Sequence, residues 1–262
     1  MVKNMTGYVY VTLLLLVLIA LGFVLSGGLI LSEESPPVGK ITERHILVDK
    51  EASPPDQTLQ LSTLDFITQA CGSGGYDIAL VIDNSGSVGQ YLDQMLVDIN
   101  SFVDSFSGKS TQFSVTKFST NASILISDFT DDLSMVKSKI SSIGGGGSTN
   151  WEDAMIKAKT TLDSTSNRPS IPDLVIFASD GNPNITNSGG SPLGTAVAIA
   201  NEIKINGARI ISYGIGSGIN EQNLKAISGS IPEVTGDTDV ILTDFANFGT
   251  DLQSLTTTIC GS

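Results

Sequence analysis

Three short segments carry oxygen-bearing side chains in patterns that suit one kind of chemistry. The first is Asp83-Asn84-Ser85-Gly86-Ser87, in which Asp83, Ser85 and Ser87 alternate so that all three oxygens can face one point. The second is Ser148-Thr149-Asn150, directly after the run of glycines at 144–147. The third is Asp180-Gly181-Asn182-Pro183. Together Asp83, Ser85, Ser87, Thr149 and Asp180 supply two carboxylates and three hydroxyls, hard donors with no Cys or His among them. Such a set matches Mg2+ or Mn2+ rather than zinc. It leaves an octahedral ion a position for water or for a carboxylate brought from outside. Taken singly, each segment is ordinary: DNSGS reads as a strand-to-helix turn with capping serines, GGGGSTN as a flexible loop, and Asp180-Gly181 as a common turn pair.

The flanking elements must bring them together. YDIALVID (76–83) is a nearly continuous apolar run, as expected of a strand buried on both faces. A helix is expected over Tyr91–Phe106, where apolar residues recur every three or four positions. QFSVTKFS and ASILISDF read as strands joined at Thr120-Asn121 in a hairpin. Helices over Leu133–Ile143 and Trp151–Leu162, a strand over 173–179, a helix over Gly194–Ile205 and a strand over 208–215 follow. A short helix (220–228), a strand near Val240–Leu242 and a last helix (245–259) complete the chain. This alternation predicts an α/β fold: a doubly wound, mostly parallel, Rossmann-like sheet with helices on both faces and one antiparallel edge strand. All three segments then fall at the carboxyl ends of central strands, where such sheets bind ligands. Trp151, the only tryptophan, is expected to pack on the sheet, with ligand contact as the alternative.

Asp-x-Ser-x-Ser, a distant Thr after glycines, and Asp-Gly after a buried strand closely resemble the von Willebrand factor type A domain over residues 71–260. In that family these residues form the metal-ion-dependent adhesion site. The resemblance implies that Ser85, Ser87 and Thr149 coordinate the ion directly, and that Asp83 and Asp180 act directly or through water. It also implies a protein partner whose Glu or Asp completes the coordination, with specificity set by surrounding loops such as 182–192. Ligand binding in the family can be coupled to a shift of the final helix. A structural scaffold subunit of a surface or pilus-like assembly is the alternative reading.

Composition narrows the rest. With Lys+Arg 14 against Asp+Glu 27, the 262-residue chain carries a net charge of -13, which argues against nucleic acid as a partner. The only histidine, His45, lies far in sequence from the three segments, so histidine-dependent catalysis is not expected. An enzyme would need a general base, and the available carboxylates are already assigned as metal ligands. Gly214-x-Gly216-x-Gly218 lacks the spacing of a nucleotide-binding fingerprint. Asn121-Ala-Ser and Asn184-Ile-Thr are glycosylation sequons.

Residues 8–31 are uncharged and would span roughly 36 Å as a helix, enough to cross a bilayer core. Residues 1–31 are therefore expected to be a transmembrane helix or signal anchor, 32–70 an extended linker or stalk, and 71–262 the domain. Lys3 before the apolar run and Glu33 and Glu34 after it place the N-terminus in the cytoplasm and the domain outside. Cleavage of a signal peptide, giving a secreted chain, is the alternative. Cys71 lies just before the first strand and Cys260 just after the last helix, which the topology puts at one sheet edge. A disulfide between them suits an oxidising compartment and would pin the last helix; two free thiols are the alternative.

Overall fold

A computed structural model describes residues 75–231 and 239–260. The expected membrane segment and linker lie outside the described residues, as do Cys71 and the side chain of Cys260, and with them the bridge between the two. No helix among the described residues is long and apolar enough to cross a membrane.

Six strands form one sheet: β1 (Asp77–Asp83), β2 (Gln112–Phe118), β3 (Ala122–Thr130), β4 (Asp173–Ser179), β5 (Arg209–Ile215) and β6 (Val240–Thr243). Their order is β3-β2-β1-β4-β5-β6. Only β2 and β3 pair antiparallel, with register shifts around Val115; the other pairings are parallel. The helices are α1 (Leu92–Asp104), α2 (Leu133–Ser141), α3 (Trp151–Leu162), α4 (Pro192–Ile205), α5 (Glu221–Ile227) and α6 (Phe248–Cys260).

The pleat of β1 explains the two cores. Ile78, Leu80 and Ile82 point into one apolar cluster with Met95, Phe102, Val103 and Leu252, from α1 and α6. Ala79 and Val81 point into another with Trp151, Met155, Ala158, Ala200 and Leu224, from α3, α4 and α5. Every residue of β1 is buried, which is why its sequence is a run rather than an alternation. Trp151 packs edge-on against Phe177 of β4, 5.1 Å between ring centroids.

Helix boundaries differ from expectation where a local hydrogen bond intervenes. The chain makes a 3-10 turn at Gly89–Tyr91 before α1, leaving Tyr91 on the surface and stacked on Phe245. α4 begins two residues earlier than the apolar pattern suggests, because Ser191 accepts the N–H of Gly194 and Pro192 sits in the first turn. α6 begins later, because Asp244 Oδ1 accepts the N–H groups of Ala246 and Asn247 and closes a separate turn first.

From β1 the chain steps outward to β2, and after β3 it returns to the other side of β1 as β4. The sheet's winding therefore reverses between β1 and β4, and the carboxyl ends of these two strands border the resulting crevice.

Candidate metal centre

Asp83 is the last residue of β1, and Asp180 follows the last residue of β4. Both strands end at the crevice, so the parallel register alone places the two carboxylates side by side. Asp83 is fully buried. Its Oδ1 accepts the Ser85 N–H at 2.7 Å, which curls the chain so that the Ser85 and Ser87 hydroxyls meet at 3.1 Å. Its Oδ2 accepts the Ser179 hydroxyl at 2.6 Å. Ser87 in turn donates to Asp180 Oδ1 at 2.8 Å.

Thr149 reaches the same place by way of the glycine loop. Gly146 and Gly147 have φ of 132° and 100°, a region open to glycine but strained for other residues. A Cβ on Gly147 would stand 2.6 Å from Thr120 Oγ1. The loop lies directly on the first segment: Gly86 N–H donates to Gly147 O at 2.9 Å and Gly146 N–H to Asn84 O at 2.8 Å. Gly181 marks where the three segments converge, since a Cβ there would lie 3.5 Å from Ser87 Oγ and 3.7 Å from Thr149 Oγ1. The structure thus brings together all five expected donors: Asp83, Ser85, Ser87, Thr149 and Asp180.

The electrostatics fit a cation. Burial pushes the Asp83 carboxyl up to about 6, against the lowering effect of the Ser179 and Ser85 hydrogen bonds, and the nearby Asp180 adds to the rise. Burial raises Asp180 as well, opposed by the hydroxyl of Ser87. Among the described residues neither carboxylate has a Lys or Arg partner. Nor is there a cluster of three or more His, Cys, Asp or Glu. A small hard ion held by mixed hydroxyls and carboxylates would supply the missing counter-charge, and these residues fit one.

Several supporting residues escaped the sequence reading. Ser179 looked like one more strand residue, yet it carries the hydrogen bond that orients Asp83. Asn84 and Asn182 stood at positions with no assigned role. Asn84 Nδ2 donates to Gly144 O at 2.6 Å, tying the glycine loop to the first segment. Asn182 brackets the loop before α5: its Oδ1 accepts from Asn220 N and Asn223 Nδ2, and its Nδ2 donates to Gly218 O. The approach is close there, since a Cβ on Gly218 would stand 3.0 Å from Asp180 O. Asn150 caps α3 by accepting the Asp153 N–H, an Asn-x-x-Asp signal that was readable in advance.

Sporozoite surface protein 2 of Plasmodium yoelii yoelii is 26% identical over 164 residues, which cover 58% of this chain and 19% of that protein. The chain thus spans about a fifth of that relative's length. Among solved structures, proximal thread matrix protein 1 from the mussel byssus, with a zinc-occupied MIDAS motif, superposes with a TM-score of 0.57 at 24% identity, covering 72% of this chain and 46% of the other. The manganese-loaded TRAP protein of Plasmodium vivax gives a TM-score of 0.54 at 23% identity, over 71% of this chain and 73% of that one. At these identities the likeness is one of fold. Residues 77–257 match the von Willebrand factor type A domain as a family, and the chain belongs to it.

Proposed function

We propose that this chain is a membrane-tethered, extracytoplasmic binding module, not an enzyme, that recognises a protein partner through Mg2+ or Mn2+ held by Asp83, Ser85, Ser87, Thr149 and Asp180. The observation that carries this reading is the convergence of Ser87 on Asp180 Oδ1 and of both Ser87 and Thr149 on Gly181. When bound, the cation would supply a Lewis-acid position for a carboxylate oxygen of the partner. The protein's own contribution is orientation. Ser179 and the Ser85 N–H hold both oxygens of Asp83, and the glycine loop holds Thr149 over the first segment. The manganese and zinc reported for the two structural neighbours support a divalent ion here.

The tether reading rests on the uncharged residues 8–31. β1 begins at the sheet edge opposite the metal centre.

Two experiments on the full chain test the proposal. Calorimetric titration with Mn2+ is expected to show binding that Thr149→Ala abolishes. Panning a random peptide library in Mn2+ and in EDTA is expected to enrich Glu- or Asp-bearing peptides in Mn2+ alone. A wild-type chain that takes up no Mn2+ would overturn the metal reading and favour a scaffold subunit of a surface or pilus-like assembly.

A further inference from the structure

We propose that Glu152 is the positioning residue for the rim of the metal centre, an inference that rests on the metal-dependent reading above. Glu152 is the second residue of α3 and is only 5% exposed, yet it forms no ion pair among the described residues. Its charge is met by the loop after Asp180. Glu152 Oε2 accepts the Asn187 N–H at 2.6 Å, the Ser188 N–H at 3.2 Å and the hydroxyl of Thr186. Successive main-chain N–H groups wrapped around a carboxylate make an anion nest, and the start of a helix adds a favourable field.

The same loop touches the metal centre directly. Asn184 Oδ1 accepts the Thr149 N–H at 2.9 Å, and the Asn184 N–H returns to Thr149 O at 3.0 Å. Asn150 Nδ2 donates to Asn187 Oδ1 at 2.9 Å. Residues 184–188 are therefore stitched to residues 149–152, with Glu152 receiving three of the bonds. Beyond them Gly189 and Gly190 have φ of 77° and 91°, and a Cβ on either would meet nothing within 4 Å, so the tip offers no packing of its own. Glu152 beneath it supplies half of the six bonds that order this rim.

The chemistry of the rim suits its place. Residues 181–192 contain no charged side chain, in a chain whose net charge is -13. A partner carboxylate approaching the centre thus crosses amides and hydroxyls. The Glu152 carboxylate below them is already occupied by N–H and O–H donors.

The test uses the full chain with Glu152→Ala, Glu152→Gln and Thr186→Val, read by site-resolved amide exchange and by Mn2+ titration. In Glu152→Ala, exchange at Asn187 and Ser188 is expected to rise at least about tenfold while β1 and β4 stay protected. Mn2+ affinity is expected to fall about tenfold through Thr149, the size of effect seen when an outer-shell partner of a metal ligand is lost. Glu152→Gln keeps an acceptor oxygen and is expected to restore most of both, with Thr186→Val intermediate. Unchanged exchange at Asn187 and Ser188 in Glu152→Ala would overturn the proposal, as would unaltered Mn2+ affinity with the rim released. Failure of the wild type to bind Mn2+ would instead sink the metal reading, and the exchange pattern would still decide whether Glu152 holds the rim.

Discussion

Replacing Asp83 by Asn separates two opposed effects of one carboxylate. Burial raises its pKa from 3.8 to about 6. A folded-state value above the unfolded one means that ionisation works against folding: the penalty is absent below about pH 4 and complete above about pH 6. Two units correspond to roughly 2–3 kcal/mol at neutral pH. The amide keeps an oxygen for the Ser85 N–H. Ser179, whose hydroxyl also lies 3.0 Å from Gly181 O, can donate to that carbonyl and accept from the new amide. Turning the Ser179 hydroxyl away from position 83 offsets part of the gain, so the metal-free variant should be more stable than wild type by about 1–2 kcal/mol at neutral pH. For a domain of this size that is about 2–8 °C in Tm. In Mn2+ at a hundred times Kd the wild type gains about 2.7 kcal/mol, and the variant, lacking a ligand charge, gains little. The order of stability should therefore invert between EDTA and Mn2+. Thermal unfolding at neutral pH in both conditions is the assay, with a repeat in EDTA near pH 4, where the variant's advantage should be lost. A variant less stable than wild type in EDTA, or one with an equal Mn2+ response, would refute the reasoning.

Three further outcomes follow from other parts of the fold. Gly147→Ala should cost about 1–3 kcal/mol by urea unfolding, since its Cβ meets Thr120 Oγ1 at positive φ, and should weaken Mn2+ binding by displacing Thr149. Asp77 is fully buried and accepts from Arg168 Nε at 2.9 Å, Nη2 at 2.6 Å and the main-chain N–H at 2.9 Å. Arg168→Ala should therefore cost about 3–5 kcal/mol with Mn2+ affinity unchanged, because the pair lies at the opposite sheet edge. Burial also pushes Asp173 up to about 6, with the charge of Asp77 adding to it. Asp173→Asn should stabilise the protein at neutral pH by about 1 kcal/mol, an effect that fades as pH falls toward about 4.

What was legible in advance was what leaves a local trace. The fully buried β1 shows as an apolar run, and α1 as a three-and-four spacing of Leu92, Met95, Leu96, Ile99, Phe102 and Val103. The meeting of Asp83, Ser85, Ser87, Thr149 and Asp180 could be anticipated because parallel strands deliver their ends to one edge. Their supports were hidden because the bonds that define them cross long stretches of chain. Ser179 and Asp83 are 96 residues apart, and Glu152 and Asn187 are 35 apart. No periodicity marks either pair. Glu152 in particular looked like an ordinary acidic residue in the first turn of a helix, and only the return of the 184–188 loop gives it a task.

Strand β1 is fastened to its surroundings at both ends: at Asp77 by Arg168, 91 residues away, and at Asp83 by Ser179 of β4. Of the two outer strands, β3 is held at Ala122 by Asp153 and near its other end at Phe129 by Ser166, whereas β6 is only four residues long. Partial opening of this sheet is therefore expected to begin at its β6 margin, with the β1–β4 ladder surviving late. The residues proposed to hold the ion are thus mounted on a part of the sheet expected to unravel late.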